Sequence, residues 1–302
     1  MLRRLRGRLF RATNLLDQPD TPWRRRRLLD SLSSHGDRIV ASAGNVLRLT
    51  VRVPYGPSDA GSGLAFPRGM SAHPFDLRGM SKVARLPSLA RVALNRIVVL
   101  DTETTGLLDQ RETVPFLVGL GHFGAEEFVV EQFFMEDFES EPAMMKMLAR
   151  HMRDFRAILT YNGKAFDLPL LRRRFEILRL SGAAWKRTHW DVLPTARLLW
   201  RGRVRSCSLT GLEDEVFGFR RTRDIASNRI TQVYRDYLGG RRAERLAAVF
   251  DHNAQDILTT AALAITLARA FLDWEGALSR GIADEAALAR FLGKVGYERR
   301  AN

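Results

Sequence analysis

Cysteine is nearly missing from this 302-residue chain: Cys207 is the single one. An intramolecular disulfide framework is therefore excluded, and the protein fits a reducing compartment. A catalytic thiol is not indicated either, because Arg205, Ser206, Ser208 and Leu209 around Cys207 include no adjacent base. Long apolar runs are also missing. None approaches the roughly eighteen residues of a membrane span, and the N-terminus lacks the apolar core of a secretory signal. Acidic residues are in deficit, 34 against 48 Lys and Arg, for a formal net charge of +14 that comes mostly from arginine. That balance favours a polyanionic partner through phosphate contacts and counterion release. An arginine-rich proteome gives the same figure, so charge alone decides nothing. With 45% hydrophobic residues the chain can bury a sizeable core. A soluble, cytoplasmic protein is expected.

Three stretches differ in character. Residues 1–93 read as a basic N-terminal accessory region, partly irregular. It opens on the acid-poor MLRRLRGRLFRATN, carries the block Trp23-Arg24-Arg25-Arg26-Arg27, and is rich in Gly, Pro and Ser over 54–79. The opening segment reads as a basic helix or arm, with a transit peptide or membrane-surface helix as alternatives. Within the region, VLRLTVRV (46–53) alternates like a half-exposed strand with arginines on its open face, placed to lie against a main sheet or to touch a phosphate backbone.

Residues 94–274 have α/β punctuation. Strands are expected over 97–100, 115–123 and 127–135 as an antiparallel meander, followed by a helix over 142–155 and a strand over 157–160. Helices then follow over 166–180, 192–200, 209–216, 229–238 and 241–274. Residues 275–302 form a short helical tail. No internal repeat is evident.

What the chain does have is an apolar β-branched run, Ile97-Val98-Val99-Leu100, that ends in two carboxylates one residue apart, Asp101 and Glu103. The two-residue side-chain period of a strand puts both on one side of its end. Like charges so close repel unless a cation lies between them, and carboxylate oxygens suit Mg²⁺ or Mn²⁺. Two further signals follow. Tyr161-Asn162-Gly163-Lys164-Ala165-Phe166-Asp167 breaks a strand at Asn-Gly and sets Asp167 at a helix start, as a ligand or as a simple cap. His252 and Asp256, four apart on the long C-terminal helix, are neighbours on one face, as a base beside a carboxylate or as an ordinary surface pair.

Together, the run Asp101-Thr102-Glu103-Thr104-Thr105-Gly106, the Asn162 to Asp167 stretch and the His252 to Asp256 stretch resemble the three motifs of the DEDD superfamily of 3'-5' exonucleases, the DnaQ-like branch of the ribonuclease H-like fold. The resemblance covers residues 96–272. Within the superfamily, Val114-Pro115-Phe116-Leu117-Val118-Gly119-Leu120 and Thr160-Tyr161-Asn162-Gly163-Lys164 look like the YprB-type proteins. One departure stands out: the family's histidine version separates histidine from the last aspartate by five positions, whereas here the spacing is four, as in the tyrosine version.

The resemblance implies an α/β ribonuclease H-like fold, with a mixed central sheet of three antiparallel strands plus parallel ones, flanked by helices. It further implies two-metal-ion hydrolysis of DNA or RNA phosphodiesters from a single-stranded 3' end. Asp101, Glu103, Asp167 and Asp256 would hold two divalent ions, Mg²⁺ or Mn²⁺, and His252 would be the base. Thr102, Thr104, Thr105, Asn162 and Lys164 would contact substrate. A haloacid dehalogenase-like phosphatase is disfavoured by the meander after Asp101. A catalytically weak or inactive ribonuclease H-like nucleic-acid-binding protein is the alternative.

Overall fold

The computed structural model describes residues 21–33, 38–43, 46–55, 77–106, 112–221 and 224–295. The 1–14 arm and most of the Gly/Pro/Ser-rich 54–79 stretch lie outside them. The described strands are β1 (Arg38–Ala43), β2 (Val46–Pro54), β3 (Ile97–Thr104), β4 (Pro115–Phe123), β5 (Glu127–Met135), β6 (Ala157–Thr160) and β7 (Thr188–Asp191). They form one sheet in the order β1-β2-β5-β4-β3-β6-β7. β6 and β7 run parallel to β3 and the remaining pairings are antiparallel, which is the expected mixed sheet.

Two strands of the N-terminal region belong to this sheet. β2 pairs with β5 from Val46 opposite Met135 to Pro54 opposite Glu127. Its open-face arginines are matched by β5 carboxylates: Arg48 lies 2.7 Å from Glu131, and Arg52 pairs with Glu127. Of the two roles open to this strand, lying against the main sheet is the one observed. β7 was not anticipated, because Thr188-His189-Trp190-Asp191 buries only Trp190 and so has no apolar pattern. Its place is fixed by parallel pairing with β6 and by a 2.8 Å hydrogen bond between Thr160 Oγ1 and His189 Nε2.

The helices are α1 (Thr21–Ser33), α2 (Leu77–Ala84), α3 (Glu141–His151), α4 (Asp167–Ile177), α5 (Val192–Trp200), α6 (Leu209–Phe217), α7 (Ser227–Leu238), α8 (Leu246–Leu272), α9 (Trp274–Ser279) and α10 (Glu285–Val295). The helix expected over 142–155 stops earlier, where Met152–Asp154 tightens into a 3-10 turn. Each sheet face carries an apolar cluster. One gathers Val98 and Leu100 with residues of α1, α3, α4, α7 and the first turns of α8; the other gathers Ile97 and Val99 with residues of α2, α5, α10 and the rest of α8. A buried Glu141–Arg174 pair, with Arg174 Nη2 2.6 Å from Glu141 Oε2, clamps α4 to α3.

One helix, α8 with the turn before it, is long and apolar enough by length and composition to cross a membrane. Its apolar window is 83% buried within the protein, because it is the central core helix. It approaches the sheet closely over β4, where side chains are absent. A Cβ on Gly119 would come within 2.4 Å of Ile257 Cδ1, and one on Gly121 within 2.3 Å of Ile257 Cγ2. Glycine inside a strand marks such an approach. Gly121→Val is expected to lower stability by about 1–3 kcal/mol through overpacking, read as a lower urea midpoint; an unchanged midpoint would show that α8 does not need this groove.

Candidate active site

Strand β3 sends Val98 and Leu100 to one face and Asp101 to the other, beside Ile97 and Val99. Glu103 follows on the Asp101 side by the strand period, and an irregularity between Glu103 and Thr104 ends the regular pairing with β4. Asp101 stands in register with Gly119, and Gly119 with Gln132 of β5. Across three strands the row therefore reads carboxylate, no side chain, amide. Asn253 of α8 fills the gap. Its Oδ1 accepts from Gln132 Nε2 at 2.9 Å, and its Nδ2 donates to Asp101 Oδ2 at 2.7 Å. Gln132 Nε2 also donates to the Phe250 carbonyl at 2.7 Å, so the rotation of α8 about its own axis is pinned to the sheet. Asp256, three residues after Asn253, comes to the same end of β3.

Asp167 opens α4, yet it does not serve as the cap. The residue before the helix is Phe166, which makes no side-chain cap bond, and Asp167 Oδ1 instead accepts from Thr102 Oγ1 at 2.6 Å. The preceding turn has Asn162 at φ 67°, a left-handed conformation that asparagine tolerates, and Gly163 packs where a Cβ would lie 2.5 Å from Thr160. Asp191 ties this turn down. It accepts from the Asn162 and Lys164 amides at 2.8 and 3.1 Å, and it caps α5 through the Leu193 amide.

The carboxylates are strained electrostatically. Burial, then the charges of Asp256, Glu103 and Asp167, raise Asp101 well above the ordinary carboxylate range, against the Asn253 hydrogen bond. Burial raises Glu103 to about 8; His252 pulls it down, while Asp256, Asp167 and Asp224 push it up. Burial likewise lifts Asp167 to about 6, opposed by the hydrogen bond from Thr102. His252 moves the other way. Burial lowers its pKa, but the 2.6 Å contact of Nδ1 with Asp224 Oδ1 and the charges of Asp256 and Glu103 outweigh this and raise it to about 9. Its Nε2 lies 3.5 Å from Asp256 Oδ2.

Arg221 closes one side of the cluster. Its Nε and Nη2 make 2.7 Å bonds to the two carboxylate oxygens of buried Glu213, and Nη2 also donates to Asp256 Oδ1. Thr259 donates to the same Glu213. With Asp256 drawn onto Arg221, no three Asp, Glu, His or Cys side chains among the described residues form a ready-made metal cage. The donor set nevertheless suits a hard divalent ion: Asp101, Glu103 and Asp167 are buried carboxylates whose affinity for positive charge is raised, and a cation would meet that affinity as a proton does.

Two cavities meet at Asp101, Tyr161 and Asn162. One, of about 280 Å³, is lined by Thr102, Thr104, Phe166 and Asp167 among others. The other, of about 820 Å³, reaches His252 and Asp256 and is walled by α5 and the segment leading into α6. Of the residues expected to touch substrate, Thr102, Thr104 and Asn162 line these cavities, whereas Thr105 and Lys164 line neither. Thr105 is buried and its hydroxyl accepts from the Val114 amide, a bond that braces the end of β3. Lys164 is exposed beyond the turn. Phe166, more readily assigned to the core from sequence, is 50% exposed at the rim of the smaller cavity.

Sequence reasoning missed Asn253, Gln132, Arg221, Glu213, Asp224 and the turn-holding role of Asp191. Only Asn253 carried a signal, as a polar residue that helical spacing places among the buried positions of a mostly apolar helix.

A family model described as the RNase_H superfamily matches residues 98–268, more than half of the chain and all four carboxylates. The uncharacterized protein YprB of Bacillus subtilis (strain 168) is 29% identical over 179 residues, which cover 59% of this chain and 43% of that protein. The chain thus spans less than half the length of this curated relative. Among solved structures, the family B DNA polymerase of the hyperthermophilic archaeon Pyrobaculum calidifontis aligns with a TM-score of 0.43 at 11% identity, over 88% of this chain and 52% of that one. With a mixed sheet, helices on both faces and the acidic cluster inside the matched span, the chain belongs to the RNase_H superfamily.

Proposed function

We propose that this protein is a cytoplasmic, divalent-metal-dependent nuclease that hydrolyses phosphodiester bonds of DNA or RNA, acting on a single-stranded 3' end by a two-metal-ion mechanism. The observation that carries the reading is the convergence of Asp101, Glu103, Asp167 and Asp256 at one sheet end, where burial raises the pKa values of the first three and neighbouring carboxylates push Asp101 and Glu103 up further. Storing that much unfavourable charge in a core position is explained by a cation that relieves it. Asp101, central to the set, would be the shared ligand, with Glu103, Asp167 and Asp256 around it. When bound, two Mg²⁺ or Mn²⁺ ions supply a water acidic enough to attack at neutral pH and relief of charge on the leaving oxygen.

The chain's own residues do the rest. Asn253 and Thr102 hold Asp101 and Asp167 in fixed orientations. His252, oriented through Nδ1 by Asp224, presents Nε2 on the Asp256 side; with its pKa raised to about 9 it holds a proton at neutral pH in the metal-free protein, and it would accept one from water only once cations on the neighbouring carboxylates have lowered that value. Thr102, Thr104 and Asn162 line the floor where a nucleotide would rest. One observation favours the catalytically weak alternative: Arg221 already neutralises Asp256. Incubating the protein with Mg²⁺ or Mn²⁺ and end-labelled single-stranded and duplex DNA and RNA separates the readings. Release of mononucleotide from a 3' label supports the proposal, internal fragments would point to an endonuclease, and binding without cleavage would favour the alternative.

Two variants test the roles. Asp101 binds a proton more tightly when folded than when unfolded, so its ionisation costs stability increasingly as pH rises from the ordinary carboxylate range towards its raised folded value. Asp101→Asn is therefore expected to abolish turnover while making the metal-free protein more stable at pH 8, with a smaller gain at pH 5, as read by thermal melts. Lower stability at pH 8 would count against the strained-carboxylate argument. His252→Ala is expected to lower kcat by about 10²–10⁴-fold, as for loss of a general base, with Mn²⁺ affinity in calorimetry largely kept. A loss of Mn²⁺ binding as complete as that of Asp101→Asn would make the histidine a ligand instead.

A further inference from the structure

The larger cavity is lined by charges of both signs, Asp101, His252 and Asp256 together with Arg197, Arg201 and Arg205. The three arginines are not equivalent. Arg205 is held by Glu215 and Asp214, so its charge is already matched. Arg197 and Arg201, four residues apart and so on one face across the C-terminal end of α5, have no carboxylate partner among the described residues. Both stand close enough to Cys207 to pull its thiol down against the rise that burial causes. Ser206, Ser208 and Thr210 add hydroxyls along the same wall, and Tyr161, whose hydroxyl donates to the Cys207 carbonyl, ties that wall to the floor beneath Asp101.

Unmatched guanidiniums beside a helix C-terminus also serve the helix dipole. That role does not require them to face a cavity that opens onto the acids. A phosphate entering this cavity meets Asp101 and Asp256, and the arginines that line the same cavity offer its charge a partner. We propose that Arg197 and Arg201 form a backbone subsite that holds phosphodiester groups of the strand adjacent to the scissile bond; this rests on the nuclease reading above. The contact is to phosphate, so it does not distinguish ribose from deoxyribose.

The test is the salt dependence of binding by the full chain in EDTA, where no cleavage occurs, with fluorescein-labelled oligo(dT) and oligo(U). Each phosphate contact on a single strand contributes about 0.7 to the slope of log affinity against log salt. Arg197→Gln/Arg201→Gln is expected to reduce the slope by about 1.4 for both ligands, whereas Arg197→Lys/Arg201→Lys keeps it. Lys146→Gln/Arg150→Gln, an equal charge change at exposed positions of α3, which packs on the opposite sheet face, is expected to leave it unchanged. Both arginines of the subsite are exposed, and circular dichroism is the check that each variant folds. A wild-type slope in the Gln pair, or an equal drop in the α3 control or the Lys pair, overturns the subsite. If the wild type also cleaves with Mn²⁺, the nuclease reading survives that failure; if the slope drops as expected but no metal yields cleavage, the subsite stands and the nuclease reading falls.

Discussion

The seating of α8 on strand β4 brings together four carboxylates that repel one another. Two chain segments far apart in sequence must meet for Asp256 to approach Asp101, and the strand beside β3 has glycine where the helix crosses it. The Gln132, Asn253 and Asp101 chain then fixes the helix rotation that points Asp256 inward. Buried amides of this kind are costly unless paired, and here each pairing fixes register as well as satisfying a polar group. The core supplies the energy, and the polar row sets the orientation.

Around that cluster the charges are arranged unevenly. On the side of α6 and α7, Arg221, Glu213, Asp224 and His252 form a connected network in which each positive group touches at least one carboxylate. On the side of β3 and α4, the donors to Asp101 and Asp167 are neutral, from Asn253 and Thr102, and Glu103 feels the charge of His252. On the proposed reading, a divalent cation would bind on this second side. Asp256 lies on the boundary between the two. Its occupancy by Arg221 decides how far the acidic side extends.

Much of this architecture was legible in the residues. The β-branched run before Asp101, the meander spacing and the helical period of the C-terminal segment marked β3, β4, β5 and α8, because each buries a continuous apolar face. β7 escaped, since a four-residue strand with one buried side chain has no period to detect. The carboxylates were legible because charges at the ends of buried elements are costly and so conspicuous. Arg221 and Asp224 were not, because they sit on the irregular segment between α6 and α7, where sequence spacing carries no geometric information. Thr105 was drawn into the substrate set by its place in the motif, but its side chain completes a backbone bond to Val114.

The four-residue spacing of His252 and Asp256 now has a physical meaning. On an α-helix, positions four apart lie on one face about one turn apart, so the imidazole and the carboxylate face the same space and Nε2 approaches Asp256 directly. A five-residue spacing would rotate the histidine by about 140° more than one full turn from the aspartate, at 100° per residue; the side chain would then need a different backbone element to bring it to the site. Here α8 carries both groups, and each is also held from outside the helix, His252 by Asp224 on Nδ1 and Asp256 by Arg221.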